Sequence, residues 1–262
     1  MITVNLPDLG LLALVEGVAD IFPIDASTHF MIAARLLRLR AESLSPALHL
    51  GVSLALALYF WRDMALIASG LWKLRKARIE AGTRMLTKML IASAPFLLIY
   101  ARVGGISLPE IDSVFWIGVI TLFFAILMFF ADKLSLTVKR IEHIGGLTSL
   151  AVGLAQMVAF IPGVGRLPAA LILARLFGME RSAAYRFVLL SSLPVLLGQA
   201  AGDFLRGGQQ FGFAELAAFI ISFGAALAAL PVGFALMRRS GLLPFALYRL
   251  VFGAALVGLS LI

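Results

Sequence analysis

The chain has 262 residues, of which 61% are hydrophobic and 14% are charged, and its mean hydropathy is +1.02. Soluble domains are roughly 45–50% apolar, so this chain has too few charged residues to cover a water-exposed surface, and its long continuous apolar runs exclude the short alternating strands of a β-barrel. The net charge of +8 is divided among short clusters between apolar runs, without interleaved aromatic residues, so no nucleic-acid partner is expected. The composition predicts an all-α, polytopic helical membrane protein.

Apolar segments follow one another along the chain. A helix that crosses a bilayer needs about 20 consecutive, mostly apolar residues. In chain order they cover 10–22, 23–37, 47–61, 89–104, 114–131, 144–161, 163–177, 187–201, 214–237 and 242–261. The first two are short and meet at Pro23, and a second pair meets at Pro162. Because proline removes a hydrogen-bond donor and clashes inside a helix, we interpret both pairs as re-entrant helical hairpins, which leaves six transmembrane helices.

The charges of the connecting loops predict the topology. The loop 62–88 is predicted to be cytoplasmic because it carries Arg62, Lys73, Arg75, Lys76, Arg78, Arg84 and Lys88. The next loop, with Glu110 and Asp112 and no basic residue, is expected outside, and those with Lys133, Lys139, Arg140 and "RRSG" (238–241) inside. The two hairpins then enter from opposite faces, although Arg35, Arg38 and Arg40 conflict with an outside location.

A faint internal repeat agrees with this division. The segment "FPIDASTHFMIAARLL" (22–37) resembles "IPGVGRLPAALILARLF" (161–177), and three longer apolar segments follow each. We expect a single membrane domain, 1–262, built as an inverted-topology repeat of about 1–131 and about 132–262. Such folds place their site near the midplane, where broken helices meet. The alternative is two unrelated hairpins that share "ARL" by coincidence.

Acidic residues and an arginine stand at the two proline breaks. Glu16 and Asp20 lie four apart and share a helix face, and Arg166 follows the second break. A charged group at bilayer depth costs at least about 2.5–3.5 kcal/mol, so these charges would compensate each other. The acids suit Mg²⁺ or Ca²⁺ as oxygen ligands. The alternative is a hydrated mouth in which Arg166 merely pairs with an acid.

The arginine side of this chamber predicts an anion site. Arg166 can hold a phosphate with two hydrogen bonds, and the amides of Gly163 and Gly165, near a helix start, can add donors. His49 could line the chamber or bond a neighbouring carbonyl, and Gln156 could face the chamber or bridge helices. Both are expected behind the residues that contact the ligand, whereas His143 is expected to be solvated.

The motifs "EGVADIFPIDASTH" and "PGVGRLP" are similar to two regions of the BacA-type undecaprenyl-diphosphate phosphatase family, approximately E-G-x-x-E-x-x-P-x-S-S-x-x-H and P-G-x-S-R-S-G. The resemblance extends over nearly the whole chain, including 48–62, 181–194 and 242–251. It implies interlocked inverted repeats with two re-entrant hairpins. It also implies a polyprenyl diphosphate substrate, cleaved on the periplasmic side of the bacterial inner membrane.

The resemblance carries site residues with it, and the chain departs from the family pattern at several of them. It implies central roles for Glu16, His29 and Arg166, with Asp20 as the second acid. The family's paired serines are replaced by Asp25 and Ala26, and Ser27 stands where the family has a threonine. The residues around the arginine also differ, since Gly165, Leu167 and Pro168 replace two serines and a glycine.

Three nucleophiles are therefore open: Ser27, Asp25 through an aspartyl phosphate, or water activated by His29. His29 could also protonate the leaving group, and Ser27 and Thr28 are expected to bind phosphate. We expect a phosphatase that recycles the lipid carrier of cell-wall peptidoglycan synthesis. The alternatives are a transporter or flippase, or a non-catalytic binder, of a polyprenyl-phosphate lipid. Membrane lipids are the expected surroundings, and a homodimer is one possibility.

Overall fold

The computed structural model describes residues 5–39, 44–74, 80–104, 113–136, 144–207 and 212–261, which form eleven α-helices and no β-strand. The first six are α1 (Leu6–Ala19), α2 (Ala26–Leu36), α3 (Ser45–Tyr59), α4 (Trp61–Leu74), α5 (Ala81–Val103) and α6 (Val114–Leu134). The others are α7 (Gly146–Met157), α8 (Arg166–Leu176), α9 (Arg181–Gly207), α10 (Phe213–Ser240) and α11 (Leu243–Leu259). The predicted all-α class is confirmed.

Four helices within these ranges, α5, α6, α9 and α10, are long and apolar enough to cross a membrane. Helices α3 and α4 would form a fifth span if counted together, although the chain bends by 84° between them. Helix α11 has 17 residues, about 25 Å at 1.5 Å per residue, and is shorter than the roughly 30 Å hydrocarbon core. A polytopic membrane protein is thus confirmed, while the number of six spans stays a prediction.

The predicted loop 62–88 is wrong at both ends, because α4 occupies Trp61–Leu74 and α5 begins at Ala81. Its charges conceal a helical pattern: Asp63, Ile67 and Gly70 are buried on one face, at the spacing of an amphipathic helix. The predictions for Arg40, Arg75, Lys76, Arg78, Glu110, Asp112, Lys139, Arg140 and His143 fall outside the described residues.

Both helical hairpins form at the predicted prolines. Helix α1 ends before Pro23, and α2 begins after Asp25, whose φ of 76° turns the chain. Helix α7 continues into a 3₁₀ turn at Val158–Phe160, and α8 begins after Pro162. Their helices have 11 to 14 residues, at most about 21 Å, which supports the prediction that they re-enter rather than cross.

The helix packing follows the division into two halves. In the first half α1, α3, α5 and α6 correspond to α7, α9, α10 and α11 in the second. The contacts of α1 and α3 with α10 are matched by those of α7 and α9 with α5, and the corresponding helices α3 and α9, and α6 and α11, contact each other. Exchanging the halves exchanges these contacts, which supports the inverted repeat, still a prediction. Small residues allow the close approaches, since a Cβ at Gly51 would lie 2.1 Å from Ser222 Oγ across α3 and α10.

Candidate functional site

The tips of the two hairpins are joined directly. The Gly163 amide donates to Asp25 Oδ2 and to Thr28 Oγ1, both at 3.0 Å. Gly165, with a φ of 78°, lies so close that a Cβ there would be 2.7 Å from Asp25 Cβ. Glycine tolerates both the positive φ and the close approach. The acid-bearing and arginine-bearing hairpins therefore form one structural unit.

Asp25 is the N-cap of α2, a position that favours aspartate. Its carboxylate accepts from Ser27 Oγ at 2.7 Å, Thr28 Oγ1 at 2.6 Å and the Thr28 amide at 3.5 Å, in addition to Gly163. The residue is 2% exposed. A carboxylate has about four acceptor positions, and all are used, so this geometry argues against the predicted Asp25 nucleophile.

The phosphate-binding predictions for the glycines and Thr28 need correction. The Gly163 amide is occupied by the contact between the hairpins, and neither Gly163 nor Gly165 lines the adjoining chamber. The Thr28 hydroxyl donates to Asp25 and accepts from Gly163, so its proton is unavailable to a ligand. Sequence alone shows a glycine-rich turn near a helix start, whereas the three-dimensional contact decides what its amides bind.

A chamber of about 930 Å³ lies beside the hairpin contact. Its polar wall includes Glu16, Asp20, Ser27, His49 and Arg166. Its apolar wall includes Phe30, Met31, Leu39, Phe96 and Phe160, and a second polar group contains Ser45, Tyr100, Asp203 and Arg206. Charged groups and an apolar surface thus border the same space.

The predicted charge compensation between the hairpins is present. Arg166 Nη2 lies 3.3 Å from Asp20 Oδ1, with about a tenth of each side chain exposed. His49 Nε2 lies 3.5 Å from Glu16 Oε1. Buried Glu16 Oε2, Asp20 Oδ2 and Arg166 Nη1 have no hydrogen-bond partner among the residues that the structure describes. Because an unsatisfied buried polar atom costs about 1–3 kcal/mol, these atoms are suited to receiving a ligand.

The chemistry of these unpartnered atoms indicates ligands of both charges. Carboxylate oxygens attract a cation, and Glu16, Asp20 and His49 can bring one ligand atom each within 4.8 Å of one another, so the cluster could hold a metal ion. Arg166 Nη1 attracts an anion. Two of these three metal-ligating candidates, Glu16 and Asp20, were expected from sequence, and His49 joins them.

His29 is not among the residues that line the chamber, and its catalytic role stays a prediction. Its Nδ1 is 2.7 Å from the Asp25 carbonyl oxygen, its Nε2 is 2.7 Å from Tyr248 Oη, and its ring stacks on Phe252 at 4.2 Å. Both ring nitrogens are therefore occupied, and the ring faces α11. The rotation of α2 around its axis decides this placement, and the short motif does not reveal it.

Gln156 bridges helices, which is one of the two alternatives left by the sequence. Its Nε2 donates to the Ala92 carbonyl at 2.9 Å, and the residue is fully buried. It does not line the chamber. This contact ties α7 to α5 and corrects the expectation that Gln156 stands behind the ligand-binding residues.

Arg249 on α11 is a residue that the sequence reasoning missed. It is fully buried, and its Nη2 donates to the Gly163 carbonyl at 2.6 Å, while Nε and Nη1 have no partner within the described ranges. The available signal was an arginine inside an apolar segment, which marks a functional or structural position in a membrane protein. Arg249 thus supports the glycine turn from the side opposite Asp25.

The fold and site define a class: a polytopic helical membrane protein with a chamber that combines acidic and cationic groups where two helical hairpins meet. Residues 10–255 match the model of the family described as bacitracin resistance protein BacA, and the chain belongs to this family.

Proteins similar to this chain carry a common description. This chain is 36% identical over 265 residues to undecaprenyl-diphosphatase 1 of Rhodospirillum rubrum, and the match covers 95% of this chain and 93% of that protein. It is 33% identical to undecaprenyl-diphosphatase 1 of Paramagnetospirillum magneticum, over 94% of each chain. It is 31% identical to the undecaprenyl-diphosphatase of Jannaschia sp., over 95% of this chain and 96% of that protein.

Proposed function

We propose that this protein hydrolyses undecaprenyl diphosphate to undecaprenyl phosphate and inorganic phosphate, and so recycles a lipid carrier of cell-wall synthesis. Family membership and the names of the relatives support the reaction. The observation that carries the proposal is the hairpin junction, where an exposed serine hydroxyl bonded to a buried carboxylate shares a chamber with an arginine. These residues are Ser27, Asp25 and Arg166.

Ser27 is the proposed nucleophile. Its hydroxyl donates to Asp25 Oδ1 at 2.7 Å, so Asp25 is placed to accept the proton as Ser27 Oγ attacks the terminal phosphorus. A bond forms between Oγ and phosphorus, the bond from phosphorus to the bridging oxygen breaks, and undecaprenyl phosphate leaves. Water then hydrolyses the phosphoserine and restores the hydroxyl. Arg166 Nη1 supplies charge stabilisation, the main requirement of phosphoryl transfer.

A divalent cation, Mg²⁺ or Ca²⁺, fits the acidic part of the chamber. Glu16 Oε2 and Asp20 Oδ2 are buried oxygens without partners, and such oxygens suit hard cations. When bound, the ion would offset the negative charge of the diphosphate. Without a cation, the two carboxylates would repel the substrate.

The apolar wall explains why a lipid is the proposed substrate. Phe30, Met31, Phe96 and Phe160 border the chamber beside its charged groups, so a diphosphate and the first prenyl units can be contacted together. A free diphosphate ion would leave this apolar surface in contact with water and forgo the gain of about 25 cal/mol for each Å² of apolar surface that a lipid would bury.

We assign the protein to the bacterial inner membrane with its chamber open to the periplasm. The chamber reaches Val103 and Gly104, which border the acidic loop expected outside. Lys133 and Arg238 line a different pocket, of about 470 Å³, next to loops expected in the cytoplasm. The loop charges support this orientation through the positive-inside rule.

The test is phosphate release from undecaprenyl diphosphate by the purified protein in detergent, with Mg²⁺ or Ca²⁺. We expect Ser27→Ala to lower the rate by at least about 100-fold, because it removes the nucleophile. The matched control is Ser69→Ala, since Ser69 is an exposed serine on α4 that bonds only its own helix.

Two results would contradict the proposal. An unchanged rate in Ser27→Ala would exclude this serine as the nucleophile. Binding of the substrate by the wild type without phosphate release would exclude hydrolysis and favour transport or non-catalytic binding.

A further inference from the structure

His49 is connected to a second acid across the chamber. Its Nδ1 lies 3.3 Å from Ser45 Oγ, and Ser45 Oγ donates to Asp203 Oδ2 at 3.0 Å. The other Asp203 oxygen accepts from the Tyr100 hydroxyl, and Arg206 lies 3.6 Å away. The chain of contacts joins α3 to α9 and α5.

These contacts determine which nitrogen of His49 carries its proton. An ionised carboxylate only accepts hydrogen bonds, and Arg206 supplies the counter-charge beside Asp203. The Ser45 proton therefore points to Asp203, and Ser45 Oγ can only accept from His49. Nδ1 of His49 therefore carries a proton, and in the neutral ring Nε2, the nitrogen beside Glu16, is the one that can bind a metal ion.

The Nε2 atom lies beside the two carboxylates whose outer oxygens lack partners among the described residues. Glu16 is 6% and Asp20 8% exposed, and Glu16 Oε2 and Asp20 Oδ2 have no hydrogen bond. The Nε2 atom lies 3.5 Å from Glu16 Oε1, too long for a strong hydrogen bond. Two ligands of one metal ion lie at a comparable distance, since each is about 2.0–2.2 Å from the metal.

We propose that His49 Nε2 is a direct ligand of the cation, together with Glu16 and Asp20, and that Ser45 and Asp203 orient it. The inference rests on the proposed function, because it specifies the ion of that same site. A histidine that binds a metal commonly donates its other nitrogen's proton to a carboxylate or a similar acceptor. Mg²⁺ and Ca²⁺ favour all-oxygen ligands, whereas Mn²⁺ suits carboxylates and, as a transition metal, also accepts an imidazole nitrogen, so a site of two carboxylates and one histidine should prefer Mn²⁺.

Arg166 connects this ion to substrate binding. Its Nη2 is 3.3 Å from Asp20 Oδ1, so a cation and the guanidinium compete for the same carboxylate. With an ion on Asp20 Oδ2, the carboxylate would attract Arg166 less strongly, and the guanidinium would be more available to a phosphate. The ion would therefore prepare the anion site as well as occupy its own.

The test measures Mn²⁺ binding to the chelator-treated protein in detergent without substrate, by titration calorimetry and pulsed electron paramagnetic resonance. We expect Mn²⁺ to bind at least about 10-fold more tightly than Mg²⁺ or Ca²⁺, with nitrogen-14 coupling from the histidine. His49→Gln should abolish this coupling and weaken Mn²⁺ binding by about 10- to 100-fold.

Two further variants separate a ligand from a structural residue. Asp203→Asn keeps His49 and should preserve the nitrogen coupling while weakening Mn²⁺ binding about 10-fold. His29→Gln makes the same substitution at the histidine outside the chamber and should change neither quantity. Absence of nitrogen coupling in the wild type, its persistence in His49→Gln, or equal affinities for Mn²⁺ and Mg²⁺ would overturn the inference. A protein that binds Mn²⁺ in this way but releases no phosphate would contradict only the proposed hydrolysis.

Discussion

Gly165 decides how closely the two hairpins approach. Its φ of 78° is unfavourable for other residues, and a Cβ would lie 2.7 Å from Asp25 Cβ and 2.8 Å from Asp25 Cα. These atoms belong to a capped helix start that is fixed by several hydrogen bonds. Asp25 therefore cannot move away without losing the contacts that place Ser27.

Gly165→Ala should lower both stability and activity. We expect a loss of about 1–3 kcal/mol from the strained backbone and a fall in phosphate release, because the hairpins separate. Thermal unfolding in detergent and the phosphate assay measure the two effects. Gly224→Ala is the control, since nothing lies within 4 Å of a Cβ at this helical position. Equal behaviour of the two variants would contradict the tight hairpin contact.

Sequence could predict the charged partners but not the orientation of their neighbours. Charges at bilayer depth must be compensated, and this requirement alone pairs the acids of the first hairpin with Arg166. Which of the two histidines, His29 or His49, lines the chamber depends on how α2 and α3 are rotated against the other helices. The same limit applies to Gly163, whose amide binds Asp25 instead of a ligand.

At the scale of elements, α11 supports the second hairpin through one residue. Arg249 donates to the Gly163 carbonyl at 2.6 Å while the Gly163 amide donates to Asp25. The same peptide region is thus held from both sides, between α2 and α11. Its position sets where α8, and with it Arg166, begins.

Arg249→Met should leave the Gly163 carbonyl with only the longer bond from Thr121 Oγ1, at 3.3 Å, and remove a cation near buried Asp25. We expect a stability loss of about 1–3 kcal/mol and at least about 10-fold slower phosphate release, because a small misplacement of positioning groups is costly. Arg239→Met, at an exposed arginine of α10, is the matched control. An Arg249→Met protein with wild-type rate and melting temperature would show that α11 does not position the hairpin.

The apolar segments were predicted well because hydrophobic length is a strong signal, and each of the predicted segments contains a helix. Helix α4 was not predicted because basic residues between apolar segments are typical of a cytoplasmic loop. Its buried Asp63 instead pairs with Arg186 of α9 at 2.6 Å. A charge pattern alone cannot distinguish a solvated loop from an amphipathic helix whose acid has a distant partner.

At the scale of the whole molecule, a second charged cluster lies outside the chamber. Asp132 of α6 is 4% exposed and pairs with Arg175 of α8 at 3.2 Å and Arg181 of α9 at 2.9 Å. It also accepts from the Leu242 amide at 3.3 Å, next to α11. One carboxylate thus connects α6 to α8, to α9 and to the start of α11.

Asp132→Asn should destabilise the protein by about 3–5 kcal/mol, because it removes the charge that faces two guanidinium groups in a buried site. Unfolding in increasing denaturing detergent measures the change. Glu80→Gln is the control, since Glu80 forms an exposed pair with Lys73 at 2.9 Å, worth at most about 1 kcal/mol. Similar losses in both variants would contradict a role for Asp132 in joining α6 to α8 and α9.

Phosphate release from undecaprenyl diphosphate by the wild type and by Arg166→Ala, with Arg239→Ala as the control, tests most directly whether the chemistry occurs at the hairpin junction. We expect release by the wild type and the control, and a rate at least about 100-fold lower in Arg166→Ala, as for loss of a preorganised charge-stabilising group. Equal rates in all three proteins would show that the chemistry does not occur where the two hairpins meet.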